Sequence, residues 1–166
     1  MRYLDKISIA LFVGGAITLA QISLADELKQ HDQLGAALNQ ASPLEDQYAE
    51  AYYNSGLNYV MLQQYDRALA EFNQALTLNP QYAEAYNNRG HIYAQLQRHD
   101  KALADYNQMI ALNPQNAIAY YNRGLTYYEL GNIPQTKKDW ETAASLFQEQ
   151  NNIQLYQLLQ QELQQL

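Results

Sequence analysis

The side chains that usually carry catalysis or bind metals are sparse and scattered in this chain of 166 residues. There is no cysteine, which excludes disulfides, thiolate metal sites and thiol catalysis. No two of His31, His91 and His99 have the i, i+4 spacing of a helical metal site. Glycine-rich phosphate loops are absent from the sequence, and the adjacent carboxylates Glu45 and Asp46 are typical of a solvated segment. We therefore expect no catalytic residue, no metal site and no cofactor.

Two arginines show a more regular spacing. Arg89 precedes Asp105 by the same number of residues as Arg123 precedes Asp139. Because a guanidinium can hold a carboxylate through two parallel hydrogen bonds, this repetition predicts an ion pair within each couple, with a structural role. The alternative is that both arginines face a ligand.

The charge balance bears on the class of partner. The formal net charge is −7, whereas a nucleic-acid-binding protein needs a basic face that replaces counterions. The same balance disfavours attraction to anionic lipid surfaces. We therefore expect no nucleic-acid partner.

Residues 1–25 differ in composition from the rest of the chain. A short basic segment precedes an uncharged and mostly apolar run at 7–20. Ser23 and Ala25 then occupy the small-residue places before a cleavage site at Asp26, and a cut between Ala20 and Gln21 is the weaker alternative. This layout predicts a secretory signal. The alternatives are an uncleaved membrane anchor, for which the run is short of the roughly 20 residues that span a bilayer, and a buried helix of the fold.

The remainder of the chain repeats itself with a period of 34 residues. Segment 49–82 agrees with 83–116 at 19 of 34 aligned positions, and 83–116 agrees with 117–150 at 10. A fixed period of this length indicates a stack of equivalent supersecondary units. Apolar spacings of three and four residues predict two amphipathic helices in each unit. Asn-Pro at 79–80 and 113–114 ends the first two units, because proline cannot continue a helix.

The recurring residues resemble the pattern of the tetratricopeptide repeat family, which implies an all-α solenoid of helix–turn–helix units. The family pattern has aromatic residues, a glycine and alanines at fixed places, with a proline at the end of the unit. The first unit carries Tyr52, Gly56, Tyr59, Ala68, Phe72, Ala75 and Pro80. The second carries Tyr86, Gly90, Tyr93, Ala102, Tyr106, Met109 and Pro114. The third carries Tyr120, Gly124, Tyr127, Thr136, Trp140, Ala143 and Gln148. The style of these units is similar to that of bacterial exported members, including cyanobacterial ones.

The flanking segments are expected to cap the three units. Unit 117–150 lacks the closing proline, as a terminal repeat would. Residues 151–166 predict a capping helix after it. The inward stripe of this helix comprises Ile153, Tyr156, Leu159 and Leu163. Residues 26–48 are expected to form a degenerate capping helix and a linker, while Asp66 and Asp100 stand before the second helices of their units as N-caps would.

In this family the first helices of the units line a concave groove that binds partners, and the resemblance implies the same here. The groove residues implied are Glu50, Tyr53, Asn54, Leu57, Met61, Glu84, Asn87, Asn88, His91, Gln95, Tyr121, Asn122, Leu125, Tyr128 and Glu129. An extended peptide would suit the ladder of Asn54, Asn88 and Asn122, since an amide both donates and accepts hydrogen bonds. The alternative is that these amides cap or bridge neighbouring helices.

The family's clamp for an acidic C-terminal peptide is not expected. It requires lysines, an arginine and asparagines at five groove positions, where this sequence has Tyr53, Leu57, Asn88, Ile118 and Asn122. Only Asn88 matches. The tyrosines, leucines and methionine of the groove instead favour an apolar or aromatic contact, and its glutamates favour some basic character in the ligand.

These observations predict a non-enzymatic interaction scaffold, adaptor or assembly factor that holds a peptide or helix of a partner in the groove. The N-terminal segment predicts export, to the periplasm or, in a cyanobacterium, to the thylakoid lumen. Membrane contact is expected only through residues 1–25, if they are not cleaved. The alternative function is that of a permanently bound small subunit, or a membrane-anchored tether, of an envelope or thylakoid membrane complex.

Overall fold

The computed structural model describes residues 43–166, and within that range the chain forms seven helices and no strand. These helices are α1 at 43–61, α2 at Tyr65–Leu78, α3 at Ala83–Gln95, α4 at His99–Leu112, α5 at Ala117–Glu129, α6 at Ile133–Glu149 and α7 at Ile153–Leu163. The expected signal or anchor at 1–25 and the expected capping helix at 26–41 lie outside the described residues. No helix within 43–166 combines the length and the apolar character needed to cross a bilayer.

The helix boundaries follow the period of the sequence. Helices α3 and α5 begin at Ala83 and Ala117, and α2, α4 and α6 begin at Tyr65, His99 and Ile133. The expected all-α solenoid of helix pairs is confirmed. The first pair differs from the expected bounds: residues 43–48, which the sequence placed in a linker, are helical and belong to α1.

The two helices of each unit approach closely because a glycine faces an aromatic ring. A Cβ built on Gly56 would lie 2.6 Å from Cε1 of Phe72, and one on Gly124 would lie 2.4 Å from Cδ1 of Trp140. The corresponding contact in the second unit, from Gly90 to the ring of Tyr106, would be 2.9 Å. No larger side chain than hydrogen fits at these positions without movement of the ring.

The expected N-caps are wrong for the first two second helices. Asp66 and Asp100 lie inside the first turns of α2 and α4, whose N-cap residues are Gln64 and Arg98 with no side-chain cap hydrogen bond. A carboxylate in the first turn still interacts favourably with the helix dipole. Side-chain caps are instead made by Asn116, Asn132 and Asn152 at the starts of α5, α6 and α7. The predicted stops are present: Asn79 and Asn113, each before a proline, are extended.

Helix α7 covers the last unit as expected of a cap. Leu159 is buried in the cluster formed with Trp140, Phe147 and other residues of α6, and Tyr156 and Leu163 pack against the same cluster. The fourth residue of the predicted inward stripe, Ile153, is 45% exposed, since it lies in the first turn of the helix. Helix α7 also carries two exposed leucines, Leu155 and Leu158, on a second face, and both line part of the groove.

Candidate partner-binding groove

The groove is the face on which the first helices of the units, α1, α3 and α5, lie side by side. Two of the predicted ladder amides tie these helices together. Nδ2 of Asn88 donates to the hydroxyl of Tyr53 at 3.0 Å and to the backbone oxygen of Glu84 at 3.0 Å. Nδ2 of Asn122 donates to Oδ1 of Asn87 at 3.0 Å. These two amides therefore bridge neighbouring helices, and their carboxamide oxygens are the groups that remain for a ligand.

A central recess of about 220 Å³ lies along the second unit, between Tyr53 of the first unit and Ile118 of the third. Its walls are Tyr53, Ala83, Glu84, Asn87, Asn88, Met109, Asn116 and Ile118. The ring of Tyr53 is held between Tyr82 and Phe72, with ring centroids 4.8 and 5.8 Å away. Burial raises the pKa of Tyr53, against the opposing effect of the Asn88 hydrogen bond, so its hydroxyl stays protonated near neutral pH. The recess is thus lined by neutral amides and rings with one carboxylate.

An apolar recess of about 300 Å³ lies between α5 and the capping helix α7. It shares Ile118 with the central recess. Its walls are Ile118, Tyr121, Asn122, Phe147, Leu155, Leu158, Leu159 and Glu162. Leu155 and Leu158 are 38% and 49% exposed, so the helix that caps the last unit also presents apolar side chains to this recess.

An aromatic recess of about 280 Å³ adjoins the apolar one and shares Tyr121 and Glu162 with it. Its walls are Tyr121, Leu125, Tyr128, Trp140, Glu162, Gln165 and Leu166. Trp140 stacks with Tyr121 and Tyr128, with ring centroids 6.2 and 5.9 Å away, and its indole N–H donates to the backbone oxygen of Tyr121 at 3.2 Å. Because neighbouring recesses share wall residues, the three form one groove.

The structure gathers part of the predicted residue set around these recesses. The predicted residues that line them are Tyr53, Glu84, Asn87, Asn88, Tyr121, Asn122, Leu125 and Tyr128. The predicted residues that line none of the three are Glu50, Asn54, Leu57, Met61, His91, Gln95 and Glu129. Among these, Met61 is 82% exposed at the end of α1, and Leu57 packs into the core of the first unit. His91 and Gln95 bond to each other at 3.0 Å, and Glu129 lies 3.6 Å from His99.

The sequence reasoning missed the wall that α7 provides. Leu155, Leu158 and Glu162 follow each other at spacings of three and four residues, on a stripe separate from the inward one. A capping helix that needed only to cover the last unit would be amide-rich there. This second stripe was the signal that could have placed α7 in the groove.

The predicted ion pair of Arg89 is present and buried. Its guanidinium donates to both oxygens of Asp105, at 2.6 and 2.9 Å, and Nη1 donates to Oδ1 of Asn73 on the preceding second helix at 2.7 Å. The side chains of Arg89 and Asp105 are 18% and 5% exposed. Burial acts to lower the pKa of Arg89, but the hydrogen bonds and charge of Asp105 outweigh it and the pKa is raised. The cation is therefore permanent.

Arg123 repeats the arrangement one unit later. It donates twice to Asp139 at 2.7 Å and once to Oδ1 of Asn107 at 2.6 Å. Its guanidinium is engaged within the fold and lines none of the three recesses, which favours the structural role over the ligand-facing alternative. The contact from arginine to asparagine was not predicted. Asn73 and Asn107 nevertheless recur at the repeat period, each on the second helix of the unit that precedes an arginine-bearing unit.

A stack of helix pairs with a groove along its first helices is the architecture of a peptide-binding solenoid. A family model described as "TPR repeat" matches residues 56–97 and 90–131. Residues 56–131 therefore match the tetratricopeptide repeat family, as the sequence predicted. Members of this family are typically non-enzymatic interaction modules. No curated protein sequence matches the chain.

Solved structures resemble the chain over most of the array. The first repeat domain of Spaghetti (RPAP3), bound to the HSP90 peptide SRMEEVD, has 28% identity and a TM-score of 0.63, covering 72% of this chain and 93% of that one. The second repeat domain of the same protein, with the same peptide, has 25% identity and a TM-score of 0.61, covering 64% and 98%. MamA has 31% identity and a TM-score of 0.61, covering 63% of this chain and 61% of that one.

Proposed function

We propose that this chain is a non-enzymatic adaptor or assembly factor that holds a peptide or helix of a partner protein in the groove. The observation that carries the proposal is the continuity of the groove. The central, apolar and aromatic recesses share Ile118 and Tyr121, so a single bound segment can contact all three. Peptide binding by the similar Spaghetti domains supports the same use of the fold.

The preferred peptide differs from the acidic one bound by those domains. SRMEEVD carries two glutamates and an aspartate. In the described part of the chain, no lysine or arginine lines the three recesses, and the charged residues that line them are Glu84 and Glu162. An acidic tail would bring carboxylates together without a counter-charge, which is unfavourable in a partly desolvated site. We therefore place an apolar or aromatic segment in the groove.

The direct test is partner capture with matched leucine variants. Leu125 in the groove and Leu112 at the end of α4 are both 37% exposed, and only Leu125 lines a recess. We expect Leu125→Asp in the tagged full chain to lower capture from the native host about fivefold or more, as loss of a central interface residue does. Leu112→Asp should capture normally, and both variants should show the same helical circular dichroism. Loss of capture only with Leu112→Asp would instead support a permanent subunit bound through the second helices.

The same experiment addresses export, which we infer from the residues before Asp26. The host cells are fractionated first, and the intact mass of the recovered chain is measured. A mass that begins at Gln21 or Asp26, recovered outside the cytoplasm with a discrete partner, would support an exported adaptor. A mass that retains the first 20 residues, recovered in a membrane complex, would support the anchored tether.

A further inference from the structure

The aromatic recess has the surface chemistry of a site for a cation. Tyr128 is 49% exposed, and its ring stacks on Trp140, which stacks in turn on Tyr121. The faces of such rings carry negative electrostatic potential and attract lysine and arginine side chains. Ring clusters elsewhere in the described array already hold cations in this way: Arg89 lies 5.4 Å from the ring of Tyr86. Among residues 43–166, no lysine or arginine lies in the walls of the aromatic recess.

A carboxylate stands beside these rings. Glu162 lines both the aromatic and the apolar recess, so it lies where the two meet. Its side chain forms neither a hydrogen bond nor a salt bridge with any of residues 43–166. The other nearby carboxylate, Glu129, lies 3.6 Å from Nδ1 of His99 and lines neither recess. Glu162 is thus a negative charge at the junction of the two recesses that is not paired with any of residues 43–166.

The apolar recess on the other side of Glu162 fits a different side chain. Ile118, Leu155 and Leu158 form exposed parts of its wall, and Phe147 and Leu159 close its base. Burial of a large apolar side chain there removes water from both surfaces without leaving a polar group unpaired. A segment that spans the two recesses would therefore place an apolar anchor and a cation next to each other.

We propose that the end of the groove formed by α5, α6 and α7 selects a basic amphipathic segment of the partner. A leucine-sized or aromatic side chain fills the apolar recess, and a neighbouring lysine or arginine lies over Tyr128 beside Glu162. This inference rests on the proposed function and names the chemistry of the segment that the groove takes. It also predicts discrimination against acidic tails of the SRMEEVD type.

The test selects binders from displayed random 16-residue peptides on the full chain. Recovered peptides are then counter-selected against the neutral variant Leu125→Asn, so that only groove binders remain. We expect lysine or arginine next to a large apolar residue to be enriched among them. For one selected peptide, versions with lysine, glutamine or glutamate at the enriched position are titrated. Emission of Trp140, the sole tryptophan, reports binding at the recess it lines.

The expected order of affinity is lysine above glutamine above glutamate. The lysine peptide should bind about threefold to fivefold more tightly than the glutamine one, as expected for an exposed ion pair with a cation–π contact. Glu162→Gln should reduce the preference for lysine over glutamate to the part that the ring of Tyr128 supplies, while leaving the glutamine peptide's affinity unchanged. Glu149→Gln, on α6 and outside the recesses, is the matched control and should retain the full preference.

The outcomes separate the two proposals. Groove-dependent peptides without a cation, or a glutamate version that binds as tightly as the lysine version, would overturn this inference and leave the peptide-binding function standing. A selection that yields no binder, or only binders that are unaffected by Leu125→Asn, would count against both.

Discussion

Replacing Arg89 by alanine removes the cation from a buried ion pair and leaves its carboxylate behind. The carboxylate of Asp105 is 5% exposed and accepts both of its short hydrogen bonds from Arg89. In Arg89→Ala this charge has no remaining protein donor among its present partners and is still shielded from water. The amide of Asn73 also loses its contact, at 2.7 Å, so the link between the first and second units weakens.

The size of the effect follows from the burial of the aspartate. Removing one member of a buried ion pair typically costs about 3–5 kcal/mol, mostly because the other charge is left uncompensated. Arg89 is 18% exposed, so water can reach part of the vacated space, and we expect a loss near the lower figure, about 3 kcal/mol. That is a large fraction of the roughly 5–15 kcal/mol that stabilises a typical domain.

The assay is equilibrium urea unfolding of the full chain followed by circular dichroism. Arg67→Ala is the matched control, because Arg67 is exposed, bonds only to Gln64 at 3.0 Å and lies over Tyr59 at 5.7 Å. Its loss should cost less than about 1 kcal/mol. The double variant Arg89→Met/Asp105→Ala should recover most of the stability lost in Arg89→Ala, since no buried charge then remains unpaired.

A loss below about 1 kcal/mol for Arg89→Ala, equal to that of Arg67→Ala, would refute the reasoning. It would mean that Asp105 finds water or another donor in the variant, and that the regular Arg–Asp spacing does not mark a structural pair. A double variant less stable than either single variant would also contradict the reasoning. It would mean that the Arg89–Asp105 pair is itself stabilising, and that the unpaired charge of Asp105 is not the main cause of the loss in Arg89→Ala.

Two further predictions concern the aromatic residues of the second helices. Gly124→Ala should lower the free energy of unfolding by about 1–3 kcal/mol and shift Trp140 emission, because the new methyl would lie 2.4 Å from the indole; unchanged stability would contradict the close approach of the helices. Burial, aided by the charges of Asp105 and Glu129, raises the pKa of Tyr106 above its ordinary value of 10.0, so the folded state holds its proton longer than the unfolded state. The free energy of unfolding should therefore fall as the pH rises above 10, by up to about 1.4 kcal/mol per pH unit. In urea titrations at several pH values, Tyr106→Phe should remove this contribution to the pH dependence of stability.

The array could be predicted well from the sequence because the residues that define each helix pair recur in every unit at the same spacing. The glycines opposite the second-helix rings, and the Asn-Pro stops after α2 and α4, recur at one period and fix the helix pairs. The Arg–Asp pairs were predictable for the same reason. The N-caps were not: Asp66 and Asp100 lie inside their helices, and the preceding turns end at Gln64 and Arg98, whose N–H groups donate to the backbone oxygens of Tyr59 and Tyr93.

The groove was predicted less completely because its end is built by contacts between units. Positions on α3 and α5 could be assigned from the period, but two of their amides turned out to bond across helices. The wall formed by Leu155, Leu158 and Glu162 depends on how α7 crosses α5 and α6, and no repeat in the sequence describes that crossing. The second apolar stripe of α7 was the only feature of the sequence that indicated this wall.

The position of that wall explains where selectivity can reside in such an array. Within the array, the glycines and Arg–Asp pairs hold the two helices of a unit together, and the bridging asparagines join neighbouring units. Among residues 43–166, helix α7 packs mainly against α6. Leu159 on its inner face seals the core, which leaves Leu158 and Glu162 free to shape a binding surface. Deleting α7 would therefore expose the core and unsettle the groove together, and only substitutions on its exposed face can separate recognition from stability.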